Sequence, residues 1–143
     1  MCINKINKHI DSEKENLVNF LCKLIETKSL TGQEKEVVEK VKLKMKNMKF
    51  DEVFTDKIGN VIGRIGNGEK TIVYDAHLDT VPADADNWDT PPFEAVIKED
   101  KIFGRGTMDD KGPFTSMLYA GKIIEKLGLY DEFTVYVVGS ISE

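Results

Sequence analysis

The stretch Thr71-Ile72-Val73-Tyr74-Asp75-Ala76-His77-Leu78-Asp79-Thr80-Val81-Pro82 decides the reading of the fold. Residues 71–76 form a mostly apolar run, of the kind that suits a central strand covered on both faces. His77 follows directly, with Asp79 two residues on. In extended chain those two side chains share a face. Ligands of open α/β sheets gather at the carboxyl ends of strands, and a metal-binding imidazole commonly donates its second N–H to a carboxylate. The pair reads either as a metal ligand with its orienting carboxylate or as a capped surface histidine in a loop. Spacing alone leaves both open.

Upstream, residues 12–28 predict an amphipathic helix. Leu17, Phe20, Leu21 and Leu24 fall on one face, and Ser12 and Glu15 stand at capping-box spacing. Residues 32–46 predict a second helix, with Thr31 and Glu34 as its capping box and Val37, Val38, Val41 and Met45 as its stripe. The period then switches. Glu52–Thr55 and Val61–Ile65 read as short strands around a turn at residues 57–60, and Gly66-Asn67-Gly68 as a tight turn into residues 71–76.

Downstream of Pro82 comes a Pro/Asp-rich loop, then a hairpin of residues 93–98 and 101–103 around Glu99-Asp100. Asp109-Asp110-Lys111-Gly112-Pro113 leads into a third helix that ends at Gly128, with Pro113 in its first turn and Gly128 at the C′ position. Residues 133–138 predict another apolar strand, set beside residues 71–76. The alternation of helices and strands points to an α/β sandwich.

With 143 residues, 41% apolar and 31% charged, the chain has the composition of one globular domain. Its net charge of −5 offers no electrostatic footprint for nucleic acid and no basic anchor for a membrane. Cys2 and Cys22 make neither a disulfide framework nor a CxxC metal site and fit a reducing compartment. No run approaches a membrane span, and the polar first 15 residues lack the apolar core of a secretory signal. The expected location is the cytoplasm.

Few residues can carry chemistry. His9 sits in a polar N-terminal arm and reads as surface. Asp109 could bridge two metal ions at a strand-to-helix corner, but Asp110 as a helix cap beside a solvated Asp109 is the simpler reading of that segment alone. Gly104-Arg105-Gly106 lacks the further glycine and the Lys-Ser/Thr of a phosphate loop. Glu143 follows the strand at residues 133–138. It could activate a metal-bound water, or be a charged residue at a frayed end. His77, Asp79, Asp109 and Glu143 each lie just past a predicted strand or at a helix entry, so one edge of the fold could unite them.

Three motifs carry a resemblance: His77-Leu78-Asp79-Thr80-Val81-Pro82, Gly104-Arg105-Gly106-Thr107-Met108-Asp109-Asp110-Lys111-Gly112 and Gly139-Ser140-Ile141-Ser142-Glu143. In that order and spacing the chain resembles the acetylornithine deacetylase / succinyl-diaminopimelate desuccinylase family, which also holds dizinc aminoacylases, carboxypeptidases and dipeptidases. Residues 116–124, with Asn87-Trp88, further resemble a subgroup of selenium-metabolism hydrolases.

The resemblance implies the N-terminal portion of a three-layer α/β/α catalytic domain with its mixed sheet left open. It implies His77 as a metal ligand, Asp109 as the bridge between two Zn²⁺ (or Co²⁺) ions across a cis Asp109–Asp110 bond, Asp79 as the partner of His77, and Glu143 as general base. The implied reaction is hydrolysis of an amide C–N bond in a small peptide or N-acyl amino acid.

The family pattern continues with a second Glu, a later acidic ligand, a final His and a lid domain that often mediates homodimers. None of these is among the 143 residues. The expectation is therefore an inactive N-terminal part of a hydrolase, with residues 133–138 presenting an exposed apolar edge. The alternatives are a non-catalytic interaction remnant working through that edge and a cation-binding remnant.

Overall fold

The computed structural model describes residues 3–143; Cys2 lies outside them. The chain runs α1 (Ile3–Glu26), α2 (Lys35–Asn47), β1 (Glu52–Thr55), β2 (Val61–Ile65), β3 (Lys70–His77), β4 (Val96–Lys98), β5 (Lys101–Phe103), α3 (Lys111–Leu127) and β6 (Phe133–Ser140), with one 3-10 turn at Ala85–Asn87.

α1 starts well before residue 12. Ile3, Ile6 and Ile10 extend the apolar spacing backward, and Ser12 is mid-helix, its hydroxyl donating to the His9 carbonyl at 2.9 Å. The Thr31/Glu34 capping box does not form either. Glu34 precedes α2 without a side-chain cap and instead accepts from the Gly32 N–H at 2.8 Å. The third helix ends as the sequence predicts, with Gly128 in the left-handed region at φ 61°.

Four strands form one mixed sheet in the order β1-β2-β6-β3. β2 pairs antiparallel with β1 and β6, while β3 and β6 are parallel, with His77 opposite Ser140. β6 is therefore interior and β3 is the edge, which reverses the expectation for residues 71–76 and 133–138. The Gly66-Asn67-Gly68 turn likewise does not join neighbouring strands. It carries the chain past β6, held by Gly68 N–H to Phe133 O and by Thr134 Oγ1 to Gly68 O. The physical reason is the crossover: α3 connects β3 to β6 and lays them side by side. An apolar run looks the same at an edge as in a sheet centre; here Val73 is 58% exposed.

Val61 and Ile65 of β2 and Val135 and Val137 of β6 share a buried core with Val37, Val41 and Met45 of α2, Phe114 and Leu118 of α3, and Leu24 of α1. The helices thus shield one sheet face, and the ends of β3 and β6 stay open. β4 and β5 form a separate hairpin. Among the described residues no helix is long and apolar enough to cross a membrane.

Candidate metal centre

His77 is the last residue of β3, and its ring is 13% exposed. Its Nδ1 lies 3.0 Å from the main-chain oxygen of Asp79 and 3.5 Å from Asp79 Oδ1. Its Nε2 lies 3.0 Å from Asp109 Oδ1 and 3.1 Å from Glu143 Oε2. The nearer Nδ1 partner is the Asp79 carbonyl, an acceptor only, so Nδ1 carries hydrogen. In the neutral ring that leaves the Nε2 lone pair facing two carboxylate oxygens. Such an arrangement is favourable only with a proton or a cation between them. Burial pulls the imidazole pKa down; the Asp109 hydrogen bond and the charges of Glu143, Asp79 and Asp109 outweigh it and hold it above its usual value.

The four predicted residues meet through the backbone. β3 and β6 end side by side, which brings Glu143 to His77. Asp79 is buried, and its Oδ1 accepts the Glu143 N–H at 3.3 Å. Asp109 arrives from the loop ahead of α3, where the Asp109–Asp110 bond is cis. Asp109 is 88% exposed, and Glu143, 74% exposed, lines a cleft of about 370 Å³ beside His77. Asp110 shares it: the His77 N–H reaches its carboxyl, and burial, with the charges of Asp109 and Glu143, raises its pKa against the pull of His77. Asp110 makes no side-chain cap, so the capping reading fails. His9 lies on α1 and is not among the partners of the cluster.

Three supporting residues were not legible as such. Thr31 donates to Asp79 Oδ2 at 2.8 Å. Ser29 donates to Leu78 O at 2.7 Å and accepts from Thr80 N–H at 2.8 Å, pinning the loop after β3 to the α1–α2 connection. Lys111 is fully buried, and its ammonium donates to Leu24 O and Thr27 O at 2.8 and 2.9 Å, capping the end of α1. Burial brings its pKa down to about 8. The loop before it is tight: Gly106 has φ +87°, and a Cβ at Gly112 would strike Thr107 O.

An imidazole and two carboxylates match the donor chemistry of a borderline divalent cation. Their number is small: among the described residues no group of three or more His, Cys, Asp or Glu side chains is arranged to hold a metal ion alone. The residues fit such an ion in kind and would form part of its shell.

The fold is an open mixed α/β sheet covered by helices. It superposes on the di-peptidase Dug1p of Saccharomyces cerevisiae with a TM-score of 0.84 at 21% identity, covering 96% of this chain and 34% of that one. It superposes on YxeP of Bacillus subtilis, described as a dinuclear metal binding peptidase, with a TM-score of 0.70 at 19% identity, over 93% and 36%. Residues 73–143 match Peptidase family M20/M25/M40. The uncharacterized protein YgeY of Escherichia coli (strain K12) is 43% identical over 129 residues, which are 90% of this chain and 32% of YgeY. The chain spans about a third of the length of that relative.

Proposed function

We propose that these residues form the N-terminal share of the dinuclear metal centre of a hydrolase cleaving amide C–N bonds in small peptides or N-acyl amino acids. The observation that carries this is His77 Nε2 facing Asp109 Oδ1 and Glu143 Oε2 at 3.0 and 3.1 Å while Nδ1 is held by Asp79. His77 Nε2 and the Asp109 carboxylate would be the residues that hold the ions. Asp79 fixes the ring, and its burial keeps that orientation rigid. When bound, the two ions, Zn²⁺ or Co²⁺, supply Lewis-acid activation of water and of the scissile carbonyl. Glu143 Oε2 accepts the proton of the attacking water and delivers it to the leaving amine. Membership of Peptidase family M20/M25/M40, in a deacetylase branch, is the proposed affiliation, and the cytoplasm the proposed location.

The donors counted above are too few for two ions, so the 143-residue chain alone is proposed to be inactive. Further ligands, and dimerisation through a lid domain, would belong to a longer protein. A second reading, an interaction module, draws on the exposed edge at β3.

A cobalt(II) titration of the full chain, followed by visible absorption, tests the proposal. Ligand-field bands are expected in the wild type and absent in Asp109→Asn; identical spectra would overturn it. Hydrolysis of N-acetyl amino acids by the chain with Zn²⁺, lost on Glu143→Gln, would overturn the proposed inactivity.

A further inference from the structure

Next to the metal centre, between the 3-10 turn at Ala85–Asn87 and the loop after β5, lies a cleft of about 260 Å³. Trp88, Ile102, Phe103, Arg105, Met108 and Asp109 line it. Its walls are largely apolar, and Arg105 is the single cation among those residues. The guanidinium carbon stands 4.9 Å from the centroid of the Trp88 ring. Stacking occupies the flat face of a guanidinium and leaves its terminal N–H groups for a planar acceptor.

That acceptor is missing from the chain itself. Arg105 Nε is buried and has no hydrogen-bond partner. The only other arginine, Arg64, pairs with Glu52 at 3.1 Å, whereas no carboxylate among the described residues forms an ion pair with Arg105. A buried donor without a partner is costly, and more so when charged. In a chain of net charge −5, such a cation stands out as a binding group.

Both partners are held in place before any ligand arrives. The Arg105 N–H donates to Pro92 O at 2.6 Å, and Thr107 N–H and Oγ1 both donate to Gly104 O. Asp84 caps the 3-10 turn by accepting the Asp86 N–H, and the Trp88 N–H closes on Ala85 O. Asp109, the acid at the rim, is engaged by His77.

We infer that this cleft binds the carboxylate of a small molecule with an apolar body, the carboxylate on Arg105 and the body against Trp88, Ile102 and Phe103. Its functional meaning rests on the reading of Asp109 as part of the metal centre, for then Arg105 selects acidic N-acyl or peptidyl substrates and sets them beside the reacting groups.

Trp88 is the one tryptophan of the chain, so its emission reads the cleft directly. The full chain, in chelator, is titrated with N-acetyl-L-leucine and with the uncharged N-acetyl-L-leucinamide. A saturable change is expected with the acid, and the amide should be weaker by about tenfold, the worth of one charge-assisted hydrogen bond. Arg105→Lys should weaken the acid by a similar factor, and Arg105→Gln should abolish the response, with circular dichroism confirming the fold. Superimposable curves for acid and amide in the wild type would overturn the inference without any variant. So would an undiminished acid response in folded Arg105→Gln. No metal is present, so this result stands or falls apart from metal binding.

Discussion

Thr31 Oγ1 donates a 2.8 Å hydrogen bond to Oδ2 of Asp79, across 48 residues of sequence. The bond ties the α1–α2 connection to Asp79, whose main-chain oxygen holds the His77 ring at 3.0 Å. Asp79 is buried, and its other acceptor contact, with the Glu143 N–H, is longer at 3.3 Å. Replacing Thr31 by Val keeps the shape and removes the donor. The expected loss is about 1–3 kcal/mol of stability by urea unfolding and about 10–100-fold of zinc affinity, as for other groups that hold a metal ligand in place. Thr31→Ser should retain both.

Lys111 makes stability depend on alkaline pH. Its pKa falls from 10.5 in the unfolded chain to about 8 in the fold, through burial. Below about pH 8 both states hold the proton, and the buried charge counts fully against the fold. Between about 8 and 10.5 the unfolded chain binds more protons, so this group's contribution to stability rises with pH. The unfolding free energy of the wild type relative to Lys111→Met, from urea melts, should rise over that window, by at most on the order of 3 kcal/mol. A flat difference would contradict the assignment.

Gly112 opens α3 against a backbone oxygen, that of Thr107, which cannot swing away as a side chain would. Gly112→Ala should therefore displace the loop bearing Asp109. A loss of about 1–3 kcal/mol is expected, the usual cost of overpacking, read as a lowered melting temperature.

The β3 edge should govern self-association. Val73 and Tyr74 are both exposed on a strand eight residues long, and charge on an edge blocks pairing with another chain. Light scattering after size exclusion should give a smaller mass for Val73→Lys than for the wild type at the same concentration. Equal masses would remove the edge as the contact.

What the sequence made legible was local chemistry, and what it hid was neighbourhood. His77, Asp79, Asp109 and Glu143 could be picked out because strand ends and helix starts sit at recognisable punctuation, and the structure brings all four together. The order of strands was not legible. An apolar run such as residues 71–76 does not say which of its sides is paired, and the placement of β6 between β2 and β3 depends on the α3 crossover. Thr31 and Ser12 misled for a related reason. A hydroxyl at capping spacing serves a helix only when no better partner lies nearby; Thr31 finds Asp79 and Ser12 finds the His9 carbonyl. Lys111, at the start of α3, is buried on carbonyls at the end of α1, Leu24 O and Thr27 O. Such long-range partners leave no mark on spacing.

Zinc calorimetry on the full chain reads whether His77 belongs to a metal-binding group. Saturable zinc binding is expected for the wild type and should be lost in His77→Ala while the variant keeps its fold by circular dichroism. Zinc binding of equal affinity and stoichiometry in the two proteins would contradict it.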